Sequence, residues 1–121
     1  MLRKNLNLNL NLGPGYFKGG NQMPEHPLKI FEKIDAELLK RVGDANAFAL
    51  ADGALPRKIK FLIAMALDAS HGTVEGTKAL AEQAMKAGAT KEEIVETIRV
   101  AQFISGVGSV YVAARALKEL F

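Results

Sequence analysis

The sequence predicts an all-α protein of five to six short helices, and three observations carry that expectation. Alanine is abundant, aromatics make up 7% and tryptophan is absent, a mix that suits closely packed helices. From Pro27 onward, apolar residues recur at three- and four-residue spacing. Helix punctuation stands where those runs begin and end: Pro56 and Thr90 at starts, Gly72 and Gly88 at stops.

Residues 1–22 read as a tail. Asn5–Leu12 is a strict Asn-Leu alternation, which taken alone is a strand pattern. Asn is a poor strand former, however, and a lone strand has no partner in a helical chain. Gly13-Pro14-Gly15 and Gly19-Gly20-Asn21 break any regular structure that follows. A flexible or extended tail is the simple expectation; leucines docked on another subunit are the sharper one.

Residues 23–121 read as one domain. Leu28, Phe31, Ile34, Leu38 and Leu39 predict a first helix, with Pro27 in its first turn. Gly43 is expected to interrupt it, Asp44 to cap a second piece, and Asp52-Gly53 to end that. Pro56 opens the next helix. Ile59, Leu62, Ile63, Ala66 and Leu67 form one face, and Phe61, Met65 and Ala69 fill the others, which predicts a buried central helix. Gly72 closes it. Thr73–Ala87 is the third helix, closed by Gly88. Thr90-x-x-Glu93 is a capping box, and the helix it starts turns Ile94, Val95, Ile98 and Ala101 inward. Ser105-Gly106-Val107-Gly108-Ser109 is a small-residue break, with the glycines read as sites of close helix packing. Val110–Phe121 is the last helix.

Length and charge narrow the function classes. At 121 residues the chain has the size of one domain. Its net charge of +3 is weak and dispersed, against a nucleic-acid partner. The absence of cysteine removes disulfides, thiolate metal sites and thiol nucleophiles. No apolar run reaches the roughly 20 residues of a membrane span, and the N-terminus lacks the apolar stretch of a signal peptide. A cytoplasmic protein is expected.

The candidate chemistry lies at the end of the central helix. Asp68 is the only charged residue between Phe61 and Ser70, and a buried carboxylate needs a partner or a proton. His71 lies three residues on and Glu75 four beyond that, spacings that place side chains on one helix face, although Gly72 intervenes. One reading is an acid–base cluster in which His71 moves a proton and Asp68 holds its other nitrogen. The other is a helix end, where a histidine meets unpaired carbonyls and Asp68 merely fixes it. Three ligands at so common a spacing do not warrant a metal, and no metal or cofactor is assigned. Arg99 is a candidate carboxylate clamp or a surface ion-pair partner. Tyr111 is a candidate hydroxyl donor or a core tyrosine. His26, between two prolines, reads as an exposed linker residue. Gly106 and Gly108 follow no strand and make no dinucleotide fingerprint.

Leu55-Pro56-Arg57, Ala87-Gly88-Ala89-Thr90-x-Glu92-Glu93-Ile94, the break at Gly106–Gly108, and Tyr111 with Ala113-Ala114 come in an order and spacing that resembles the carboxymuconolactone decarboxylase / alkylhydroperoxidase D family. The resemblance runs from about Leu55 to Leu120. It implies an alkylhydroperoxidase-D-like helical fold and homo-oligomers, often trimers or hexamers. It also implies two alternative activities: thiol-dependent reduction of hydroperoxides, and decarboxylation of carboxymuconolactone by a branch that does not use the cysteine pair. Aligned on Ala87–Thr90, the peroxidase branch's two cysteines fall on Thr73 and Gly76, its histidine on Leu80 and its glutamate on Phe61. Thr73 and Gly76 cannot form the sulfenic acid and disulfide of a thiol peroxidase. The decarboxylase branch keeps the histidine that is Leu80 here, and tends to be acidic where Glu75 stands.

The expectation is therefore a cofactor-independent lyase or isomerase on a small carboxylated substrate, built as a homo-oligomer. His71 is its acid/base, Asp68 and Glu75 stand beside it, and Arg99 and Tyr111 hold substrate. The alternative is a non-catalytic oligomeric binding or scaffold protein that keeps only the frame.

Overall fold

A computed structural model of the chain describes residues 26–121, so the Asn-Leu segment lies outside the described residues. Those residues form six α-helices and no strand. They fall into two compact units, one ending at Ala51 and one running from Asp52 to Phe121.

The first unit contains α1 (Phe31–Ile34) and α2 (Ala36–Leu50). The sequence placed a break at Gly43; the break is at Asp35, and α2 runs through a buried Gly43 without interruption. Asp35 is the physical reason. Its Oδ1 accepts from the Leu38 N–H at 3.0 Å, supplying one of the bonds that a new helix start lacks. Asp44 caps nothing; its carboxylate pairs with Lys40 one turn back at 2.6 Å. Leu39 is the core of this unit, packed by Leu28, Phe31, Ala36 and Val42. His26 corrects a second expectation. It is 5% exposed, and its Nδ1 accepts from the Leu28 N–H at 3.1 Å. Burial pushes its pKa below the usual imidazole value.

The second unit holds α3 (Arg57–His71), α4 (Val74–Lys86), α5 (Lys91–Ser105) and α6 (Gly108–Leu117). Helix α3 is the hub, packing against each of the other three. It contributes Phe61, Leu62, Met65 and Ala69 to the core. Small residues meet them: Ala79, Ala81 and Ala84 from α4, Ala101 from α5, and Ala113 and Ala116 from α6. Met65 and Ile94 are the large side chains sealed at the centre. An alanine-rich interior lets helix axes approach closely, so a few large side chains fill what space remains.

Helix α3 is not buried all round, as its composition suggested. Ile63 and Leu67 are exposed, while Ile59 and Ala66 are half-buried. Val95 on α5 also faces outward. Four helices of 10 to 15 residues offer more apolar surface than they can cover among themselves.

The stops match the sequence closely. At the end of α3 the Gly72 N–H donates to Ala69 O and the Thr73 N–H to Asp68 O, with Gly72 left-handed at φ 86°. This paired closure satisfies two carbonyls and reverses the chain within one residue. The Thr90–Glu93 capping box forms with both of its bonds. The break before α6 is narrower than expected: only Gly106, at φ 94° and ψ 175°, and Val107 separate the helices, and α6 begins at Gly108 and ends at Leu117. A Cβ on Gly106 or Gly108 would meet nothing within 4 Å. Close packing is therefore not the reason for these glycines; at Gly106 the backbone conformation is.

Candidate functional site

The paired closure at Gly72 folds the start of α4 back over the end of α3. Asp68, four residues before that glycine, and Gly76, in the first turn of α4, are thereby brought face to face. A Cβ built on Gly76 would overlap Oδ2 of Asp68 and lie 3.1 Å from its Cγ and 3.0 Å from Cγ2 of Thr73. The carboxylate thus occupies the space left by a missing side chain. Gly76 itself is buried.

That position sets the electrostatics. Partial burial raises the Asp68 pKa above the ordinary carboxylate value, and the charge of His71 offsets part of the rise. The charge of His71 acts on the Asp68 carboxylate. No hydrogen bond joins them among the described residues, so Asp68 does not hold a ring nitrogen here. His71 occupies the last position of α3 and is exposed.

Glu75 sits one residue before Gly76, exposed in the first turn of α4, where a negative charge suits the helix dipole. Among the described residues no three His, Asp or Glu side chains converge to hold a metal ion. Arg99 lies elsewhere. It lines an apolar groove of about 390 Å³ between α5 and α6 with Val95, Ile98, Gln102, Val110, Ala113, Ala114 and Leu117. Tyr111 is 64% exposed on α6, neither a core tyrosine nor part of that lining. A second groove, of about 400 Å³, runs between α3 and α5 along Ile63, Ala66, Leu67, Thr97 and Val100. Among the described residues no hydrogen bond or ion pair links Arg99 or Tyr111 to Asp68 or His71, and the groove that Arg99 lines is bordered by neither.

The positions that align with a peroxidase site have been absorbed into the fold. Phe61 is a core residue whose ring carries the Arg57 guanidinium at 5.3 Å. Thr73 precedes α4, and its carbonyl accepts from the Thr77 hydroxyl at 2.6 Å. Leu80 is half-buried on α4.

Two features escaped sequence reasoning. The Ser105 hydroxyl donates to Ser70 Oγ at 2.9 Å, and Ser70 in turn donates to Ala66 O at 2.9 Å, tying the end of α5 to the end of α3. Nothing in the spacing of two serines 35 residues apart announces that. The pairing of Gly76 with Asp68 left a fainter trace: a glycine in the first turn of a helix, where propensity disfavours it by about 1 kcal/mol.

The family model described as carboxymuconolactone decarboxylase family matches residues 36–119. No curated protein and no solved structure matches the chain.

Proposed function

The chain belongs to the carboxymuconolactone decarboxylase family, and on that premise we propose that it is a cofactor-independent lyase or isomerase acting on a small carboxylated substrate. The observation that carries this reading is the Asp68–His71 pair: a carboxylate drawn out of water, with a histidine close enough to perturb it. Paired titratable groups in unlike environments are the usual means of handling a proton near neutral pH. In a decarboxylation the bond to the leaving carboxylate breaks. Its electron pair passes into the neighbouring carbonyl as an enolate, and a proton is then delivered to carbon. His71, exposed at the helix end, is the group that delivers it. Asp68 is the carboxylate on the same helix that the His71 charge perturbs, and Glu75 adds a second carboxylate at the same junction.

Arg99 supports the reading less directly, because its groove is lined by neither Asp68 nor His71. We assign it to the substrate carboxylate on chemistry alone, a guanidinium fork beside an apolar wall. Tyr111, exposed near the start of α6, is assigned as a hydroxyl donor on the same footing. The exposed apolar faces of α3 and α5 support a homo-oligomer.

The test is turnover of lactone and open-chain dicarboxylates by the wild-type protein and by His71→Ala, Asp68→Asn and Arg99→Ala. Loss of an acid/base group lowers the rate by about 10²–10⁴. Unchanged turnover in His71→Ala rules the assignment out.

One observation favours a second reading. Neither apolar groove is lined by Asp68, His71 or Glu75. A protein that keeps the family frame for assembly or binding, without catalysis, needs no cavity at that junction. It is supported if no carboxylate or lactone raises the melting temperature.

A further inference from the structure

We propose that Gly76 is a positioning residue for Asp68: the side chain missing at 76 is what allows the Asp68 carboxylate to turn into the α3–α4 junction, so that a side chain there and the carboxylate exclude each other. This rests on the reading of Asp68 as part of the proton-handling site, and the experiment below separates the two.

Glycine serves other ends elsewhere in the second unit. At Gly72, Gly88 and Gly106 the backbone has φ between 86° and 107°, which L side chains rarely adopt. At Gly53 and Gly108 a Cβ would meet nothing within 4 Å. Gly76 is of neither kind. It is helical, without positive φ, and its missing Cβ is the place where another residue's functional group sits. Glycine in a helix is less stable than alanine by about 1 kcal/mol, so the helix alone gives no reason for it.

The geometry is fixed from both sides. The Thr73 N–H bonded to Asp68 O at 2.9 Å holds the backbone of α3 against the start of α4. The Thr77 N–H and hydroxyl, both on Thr73 O, hold the first turn of α4. Between these anchors the Asp68 side chain is what a Cβ at 76 would displace, and on this proposal it would turn outward into water.

The chemical consequence follows. Facing Gly76, the carboxylate is partly desolvated and holds its proton more tightly. Among the described residues His71, on its own helix, is the charged group that acts on it, and no charged group of α4, α5 or α6 does. Swung outward, Asp68 is an ordinary surface carboxylate.

The test is Asp68 carboxyl titration by ¹³C NMR in wild-type protein and in Gly76→Ala. The wild-type midpoint is expected above the ordinary carboxylate value, and that of Gly76→Ala is expected to fall towards it. An unchanged midpoint in a folded Gly76→Ala protein overturns the proposal. If Gly76→Ala does not fold, Asp68→Ala/Gly76→Ala is expected to restore folding by removing the group in the way. Failure of that double variant to fold also overturns it. The catalytic reading fails separately: if Asp68→Asn turns over substrate normally while Gly76→Ala still shifts the titration, positioning stands and catalysis by Asp68 falls.

Discussion

The half-buried Asp68 carboxylate lies against the bare Cα of Gly76, in a helix turn that no side chain fills. Burial raises its pKa, so the folded chain keeps this proton at pH values where the unfolded chain has released it. Such a group contributes most to stability when protonated, below the unfolded value of about 3.9. The contribution is lost as the pH rises through the folded value. Asp68→Asn, which cannot ionise, is expected to melt higher than wild type at neutral pH, with the gap closing under acid conditions. Melting curves at the two extremes decide it. A gap of the same size at both means that burial of the charge is not what destabilises the native protein.

Gly72 supports that turn through its backbone alone. Gly72→Ala puts a Cβ on a left-handed residue, which costs about 1–2 kcal/mol. A domain of this size loses about 4 °C of melting temperature for each kcal/mol. A Cβ at this position meets no atom within 4 Å, so any loss comes from φ and not from packing. Gly72→Asn separates the two, because asparagine tolerates the left-handed region better than alanine does. It is expected to retain more stability than Gly72→Ala, and equal losses would refute the backbone explanation.

The helix starts and stops of the second unit were legible in the sequence because each rests on a local rule. Gly72 and Gly88 close helices by left-handed geometry, and Thr90 with Glu93 forms a box whose two bonds span three residues. Gly43 misled because glycine in mid-helix has two meanings: a stop, or a thin place in a buried surface. Tertiary packing chose the second. His26 misled because flanking prolines describe the backbone and say nothing about what folds over the ring. At the candidate site, the three-residue spacing of Asp68 and His71 on one helix anticipated the charge of one acting on the other, but not the hydrogen bond expected between them, which does not form among the described residues. The link from Asp68 to Gly76 was not legible, because it spans a chain reversal and depends on an absent side chain. Which groove Arg99 lines depends on helix packing, which no local spacing encodes.

The capping box should make part of the stability acid-sensitive. The Thr90 N–H donating to the Glu93 carboxylate, and then Lys58 beside it, hold the Glu93 pKa below its ordinary value. A carboxylate shifted downward contributes stability above its unfolded pKa, and the contribution is lost as the pH falls through the folded value. Glu93→Gln keeps a side-chain acceptor for the Thr90 N–H but loses the charge. It is expected to flatten the decline of melting temperature between about pH 5 and pH 3. Thr90→Ala removes the hydroxyl that accepts from the Glu93 N–H at 3.1 Å, a cap worth about 1 kcal/mol, and should lower the melting temperature at every pH. If Glu93→Gln declines as steeply as wild type, other carboxylates govern acid unfolding.

The apolar surface of α5 makes the last prediction. Val100, Phe103 and Ile104 are exposed at three- and four-residue spacing, Phe103 at 81% and Ile104 at 75%. Val100 also borders the groove beneath Ile63 and Leu67 of α3, so the stripe is continuous with a second apolar face. A patch joined across two helices is unlike the scattered apolar residues of an ordinary surface, and it is the kind of surface on which an inter-subunit contact is expected. In an isolated chain Phe103→Glu touches little, and such surface changes stay within about 0.5 kcal/mol. In an assembly the same change places a charge in a desolvated contact, and losing an aromatic anchor there costs about 2 kcal/mol or more, roughly thirtyfold in affinity. Phe103→Glu is therefore expected to fold with wild-type helicity and to elute smaller than wild type in size exclusion with light scattering at micromolar concentration. A wild-type protein that is already monomeric under those conditions removes the oligomer. Equal masses for an assembled wild type and the variant would move the contact to another face.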